Sequence, residues 1–296
     1  MRERFIGGGR AGGCLLLVVL ALTLASVVPA RAGSSSTCTF EDGKVTVIFH
    51  NDGSSGTLQL DDTGTIILYK DEDSPTAQPC GTGATTLTTD RIVVEDRSDN
   101  QRSDATRDGS TGIILDLRNG HFADGGDEIP IDIDLGPGPL DVFGVIAGGE
   151  HDHFTFGVQK GNLQKDTRAE IEFARLPDFG FATLQSGNDR ACSSGGRGTG
   201  RASLIGWVFI GGADDDRMCG GLVTDRLLGG RGDDVLRGKR GGDTLKGRDG
   251  QDTLRGGVSS DALYGNKGND GLYGGGSSDF CSGGPGADQK GRCERQ

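Results

Sequence analysis

Residues Gly229 to Gly257 read GGRGDDVLRGKRGGDTLKGRDGQDTLRGG. Asp234, Asp243 and Asp252 fall nine apart, and each is followed two places later by a leucine: Leu236, Leu245 or Leu254. Cutting outward from this stretch, beginning at Gly211, gives nine consecutive nonapeptides: GGADDDRMC, GGLVTDRLL, GGRGDDVLR, GKRGGDTLK, GRDGQDTLR, GGVSSDALY, GNKGNDGLY, GGGSSDFCS and GGPGADQKG. The first place is Gly and the sixth is Asp in all nine. The eighth is Met218, then leucine from Leu227 to Leu272, then Cys281, and only at Lys290 a charged residue. A flexible Gly-rich linker has no reason to hold this phase.

A nine-residue unit can make one bend and one short strand, too little to bury a core by itself. Stacking solves this. Leucines from successive rungs then form one continuous apolar interior, with rungs about 4.7 to 4.9 Å apart. The glycine-rich half supplies backbone angles that side chains forbid. Stacking also brings Asp carboxylates and turn carbonyls together, and a cation between them removes the repulsion.

The units match the pattern GGxGxDxUx, and GGRGDDVLR fits it at every constrained place. On these residues the segment 211–291 resembles the hemolysin-type calcium-binding (RTX) nonapeptide repeats. The resemblance implies a parallel β-roll with two nonapeptides per turn and Ca2+ held in the turns. Carried over place by place, it implies carboxylate ligands at Asp234, Asp243, Asp252, Asp261, Asp270 and Asp279, and carbonyl ligands at Gly232, Gly250 and Gly268. Calcium suits such a site because it accepts six to eight hard oxygens in flexible geometry.

The chain departs from the usual exported toxins and proteases of this type. It opens with Arg2, Arg4 and Arg10, an apolar run from Leu15 to Val28 and the small-residue site Ala30-Arg31-Ala32, the marks of a secretory signal peptide over residues 1–32. No other stretch reaches the roughly 20 apolar residues of a membrane helix. The expectation is a secreted, extracellular protein without a membrane span. Without the leader, 27 basic residues face 42 acidic ones, a formal net charge of −15. Such a balance argues against nucleic-acid binding and favours cationic partners, metal ions included. The acids are 34 Asp against 9 Glu over the full chain, and short Asp side chains suit tight turns. Within the repeats, Arg231, Arg237, Lys239, Arg240, Lys246, Arg248 and Arg255 occupy variable places. They form either a solvated face or a surface for an anionic partner.

Six cysteines follow the leader: Cys38, Cys80, Cys192, Cys219, Cys281 and Cys293. In an oxidising compartment they imply three disulfides, and six cysteines allow 15 pairings. Pairing in chain order is the expectation; a soft-metal site competes, without a CxxC spacing to support it.

Residues 33–185 alternate short runs rich in Val, Ile, Phe and Thr, such as KVTVIF, TIILYK and DHFTFGV, with Gly, Asp, Asn and Pro. These are strand signals and no helical period competes. The expected fold class is all-β, a sandwich or solenoid-like β-rich region followed by the β-roll. Residues 186–210 read as a linker ending in the strand LIGWVFI, and residues 292–296 as a short tail.

Catalytic marks are few. No HExxH and no GxSxG occurs. His151-Asp152-His153 reads as a polar turn before FTF, with a metal pair as the alternative. Asp132 and Asp134 read as outward acids of one strand, with a glycosidase or lyase pair as the alternative. The expected function is therefore a non-enzymatic, secreted calcium-binding protein with a structural or adhesive role, its partner beyond calcium an extracellular polysaccharide or cell surface. The alternative is an extracellular carbohydrate-active β-helix enzyme with the repeats as its tail.

Overall fold

Each nonapeptide forms one strand of up to six residues, as in Val235–Arg240, Thr244–Asp249, Thr253–Val258 and Ala262–Lys267. Along each, the eighth-place leucine and the glycine two residues later turn inward. Pairing is parallel and steps by 18 residues. Leu236 sits on Leu254 in one sheet, and Leu245 sits on Leu263 in the other. Two nonapeptides therefore make one turn, and the two sheets face each other across the leucines. One sheet stacks Met218, Leu236, Leu254 and Leu272; the other stacks Phe209, Leu227, Leu245, Leu263 and Cys281. All are buried. Burying one such leucine contributes roughly 1.5–3 kcal/mol, too little for an isolated unit and enough when nearly every rung repeats it.

The computed structural model describes residues 36–49, 55–61, 63, 65–70, 77–85, 89–96, 112–118, 123–124, 127–135, 141–149, 151–157, 160–162, 171–173, 177–195, 203 and 205–294. The leader expected over residues 1–32 lies outside them. Residues 34–296 form one compact body. No helix occurs among the described residues, and none is therefore long and apolar enough to cross a membrane.

Both sheets of the repeats continue toward the N-terminus. The first runs from the repeats through Arg217–Cys219, Arg190–Cys192 and His153–Phe156, crosses an antiparallel step at Lys160–Asn162 and Ile171–Phe173, and ends through Ile131–Asp134, Arg91–Asp96, Lys44–Phe49 and Ser36–Glu41. The second runs through Gly206–Ala213, Phe179–Ser186, Val142–Ile146 and Gly112–Asp116 to Ser55–Leu60, Ile66–Lys70 and Ala77–Pro79. Of the two architectures expected for the N-terminal region, the structure shows the solenoid-like one. Among the described residues, parallel, in-register pairing dominates the 13- and 11-stranded sheets, and antiparallel strands interrupt it at Lys160–Asn162 and close the N-terminal edges. Within the segment read as a linker, Arg190–Cys192 form a strand, because Ala191 faces inward between Phe154 and Met218.

The rungs just before the repeats hold an aromatic core. Trp207 stacks on Phe156 with ring centroids 3.9 Å apart, and Phe143, Phe173 and Phe209 pack around the pair. Gly180 makes this stacking possible, since a Cβ there would lie 2.7 Å from the Trp207 ring. The disulfides join Cys38 to Cys80, Cys192 to Cys219 and Cys281 to Cys293, the pairing in chain order.

Candidate metal centres in the turns

At each bend the chain runs from the first-place glycine to the sixth-place Asp before entering the next strand, and the bends stack in two columns. One column carries Asp216, Asp234, Asp252, Asp270 and Asp288; the other carries Asp225, Asp243, Asp261 and Asp279. From Asp234 in the first column and Asp243 in the second, one carboxylate oxygen, Oδ1, accepts the backbone N–H of the Asp on the preceding rung at 2.8–3.0 Å, and Asp225 Oδ1 accepts the Trp207 N–H at 2.8 Å. The Asp carbonyl accepts a second rung-to-rung bond, as from Thr253 to Asp234 at 2.8 Å. The sequence thus places an acceptor at the bend every turn, and the ladder fixes its orientation.

The other oxygen is left over. Oδ2 of Asp216, Asp234, Asp243, Asp252, Asp261, Asp270 and Asp279 is buried and accepts no hydrogen bond. A buried acceptor without a partner costs about 1–3 kcal/mol, and more if charged. Burial accordingly pushes Asp216 and Asp243 up to about 8, Asp234 and Asp252 to about 7, Asp261 and Asp225 to about 6, and raises Asp270. The ladder N–H bonds pull these values down, while carboxylates on adjacent rungs push most of them further up.

Oxygen from the backbone converges on the same places. A Cβ added to the first-place Gly229 would fall within 3.0 Å of both Asp234 Oδ2 and the carbonyl oxygen of Gly247 one turn on. Gly211, Gly220, Gly238, Gly256 and Gly265 stand in the same relation to their own Asp and to the next turn's glycine carbonyl. The fourth-place glycines stack too. Gly232 has φ +121°, Gly250 +141° and Gly268 +143°, and the carbonyls of Gly232 and Gly250 point at the following glycine of the column. Only a residue without Cβ admits so close a carbonyl at such angles. The oxygens are hard, partly anionic and repeated each turn, the donor set that calcium takes. Among the described residues no three His, Cys, Asp or Glu side chains converge on one point.

The structure brings Asp234, Asp252 and Asp270 together with Gly232, Gly250 and Gly268 in one column, and Asp243, Asp261 and Asp279 in the other. It also shows two ladder members that lie outside the nonapeptides. Asp189 N–H donates to Asp216 Oδ1 at 2.9 Å, and Asp152 N–H donates to Asp189 Oδ1 at 2.7 Å. A signal was present. Asp189-Arg190-Ala191-Cys192 repeats Asp216-Arg217-Met218-Cys219, and Asp152-His153-Phe154 keeps the same step from acid to core residue. At the first place, however, Leu184 stands where the repeats have glycine, although Asp189 Oδ2 is likewise buried without a hydrogen-bond partner. His151 is exposed, and its Nδ1 accepts the Asn188 N–H at 2.9 Å, which fits the polar turn. Asp132 and Asp134 flank the inward Ile133, and Asp132 is ion-paired with Arg91.

No curated protein and no solved structure matches the chain significantly. The family description of the RTX calcium-binding nonapeptide repeat (4 copies) matches residues 208–227, 228–263 and 256–289. Phase, register and donor set agree with that match: the C-terminal region of this chain is an array of RTX hemolysin-type calcium-binding nonapeptide repeats.

Proposed function

We propose that the chain is an exported, non-catalytic calcium-binding protein whose repeats form a calcium-ordered structural and adhesive module. The observation that carries this reading is the row of buried Asp Oδ2 atoms without hydrogen-bond partners. Asp234, Asp252 and Asp270 would hold ions in one column of bends, and Asp243, Asp261 and Asp279 in the other. The carbonyls of Gly232, Gly250 and Gly268 would share the first. Bound there, calcium supplies the positive charge that cancels repulsion between stacked carboxylates. The protein's own part is to hold the carboxylates at rung spacing, exclude water behind the leucine columns and leave the outer faces free.

Charge supports the adhesive element. Residues 211–291 carry 13 Asp, no Glu and 11 Lys or Arg. Nine of those Asp are the sixth-place residues of the ladders; the remaining four, Asp214, Asp215, Asp233 and Asp249, are exposed. Once ions neutralise the ladders, the exterior is strongly basic. On one sheet face Arg190 stands in register with Arg217, and Arg237 with Arg255, with no acid at the outward places of these four strands. That face complements an anionic polysaccharide or cell surface.

Calcium titration by calorimetry with circular dichroism tests the first element. Several ions per chain and a calcium-dependent rise in melting temperature are expected; an unchanged melting curve in calcium and in chelator would sink the reading. Retention on acidic against neutral polysaccharide, with and without calcium, tests adhesion. Retention by the acidic polymer only with calcium is expected, and no retention in either condition removes the adhesive element alone.

A further inference from the structure

We propose that the C-terminal tail completes the last calcium site of the second column with a ligand from outside the repeats, and that the Cys281–Cys293 disulfide holds the tail in place to do so. This rests on the calcium reading above. In the second column of bends, a Cβ on Gly220, Gly238 or Gly256 would meet the Oδ2 of its own Asp and the carbonyl of the next first-place glycine, all within 3.0 Å. At Gly274 the repeats have run out, and the next first place, residue 292, is an arginine. The same relation nonetheless recurs. A Cβ on Gly274 would meet Asp279 Oδ2 and the carbonyl oxygen of Arg292, both within 3.0 Å. The Arg292 carbonyl thus stands where a glycine carbonyl stands in each earlier turn.

Two further observations show that the tail is built into the column. In the inner rungs the Asp carbonyl accepts from the strand stacked on it, as Phe280 N–H donates to Asp261 at 2.8 Å. The Asp279 carbonyl has no such strand and accepts from Glu294 N–H at 2.9 Å instead. Between these two tail residues, Cys293 is bonded to Cys281, which occupies the inward place that leucine holds on the rungs below. Asp279 is fully buried, and its Oδ2 accepts no hydrogen bond. The tail contributes a backbone oxygen and no side chain to the cradle, so Arg292 to Glu294 can do this without resembling GGxGxD.

The test is calcium calorimetry on the full chain, comparing the wild type with Cys281→Ser/Cys293→Ser, with Asp279→Asn and with a chain lacking residues 292–296. Circular dichroism of each in chelator establishes that the sheets persist. All three variants should bind one ion fewer per chain, and adding Asp279→Asn to the cysteine variant should remove no further ion. Cys192→Ser/Cys219→Ser should keep the full number. Full wild-type binding by the cysteine variant or the shortened chain overturns the inference while leaving the calcium reading intact. A wild type that binds no calcium overturns both.

Discussion

Replacing Asp252 with asparagine should raise stability in chelator, and calcium should remove much of that advantage. Asn keeps the acceptor for the Asp234 N–H, a bond of 2.9 Å, and places an N–H2 group where the Oδ2 atom now lies without a partner. Without calcium at pH 8, the wild type holds a buried carboxylate whose pKa is about 7, so the group is mostly ionised and uncompensated. Removing that unpaired acceptor gains about 1–3 kcal/mol. A body of this size shifts by about 2–4 °C per kcal/mol, so the variant should melt about 2–12 °C higher in chelator. With calcium the variant's advantage shrinks. If a site binds at about 0.1 mM and calcium is about 1 mM, occupancy stabilises the wild type by about 1.4 kcal/mol per site, and Asn forfeits this while placing a donor against the cation. Adding calcium should therefore move the difference in melting temperature about 3–6 °C in favour of the wild type. Thermal unfolding followed by circular dichroism in both buffers measures the two shifts. A difference between variant and wild type that calcium leaves unchanged would falsify the assignment of Asp252 Oδ2 as an ion-facing oxygen. Leu254→Ala is the control, because an apolar core loss does not depend on calcium.

Leu254→Ala should destabilise by about 2–5 kcal/mol in either buffer, seen as a lower denaturation midpoint with unchanged calcium stoichiometry. The metal-free protein should be more stable at pH 5 than at pH 8. Asp216, Asp234, Asp243, Asp252 and Asp261 have folded pKa values raised from 3.8 to about 6–8, so their contribution is full below 3.8 and is lost as pH rises through the folded values. Urea midpoints across this range in chelator check it, and a midpoint that rises with pH opposes it. Arg248→Gly should stabilise by about 1 kcal/mol, because Arg248 holds φ +91° at a place where most units have glycine; a lower melting temperature would contradict this. Asp252→Ala should weaken calcium binding more than Asp261→Ala. The fourth place beside Asp252 is Gly250 at φ +141°, whereas beside Asp261 it is Ser259, strained at φ +87°; equal losses by calorimetry would count against the ranking.

The repeats are legible in the sequence because their constraint is local and recurs unchanged. Every rung needs an inward residue at the eighth place and an acceptor at the sixth, so Leu236, Leu245 and Leu254 announce the interior, and Asp234, Asp243 and Asp252 announce the ladder before any coordinates exist. The inward and outward alternation of Ile131–Asp134 is legible for the same reason, since strand period is a property of neighbours along the chain. What only the tertiary structure decided depends on register between segments separated by irregular lengths. Asp152, Asp189 and Asp216 join one ladder although 37 and 27 residues separate them, because pairing energy is set by which strands touch and not by a constant spacing. The continuation of both sheets from the repeats into the N-terminal half has the same origin. Composition could not separate sandwich from solenoid, since both bury alternate residues of short strands. The Arg292 carbonyl is the extreme case. A backbone oxygen has no residue-type signature, and its place beside Asp279 exists only because the chain closes back on the last rung through Cys281 and Cys293.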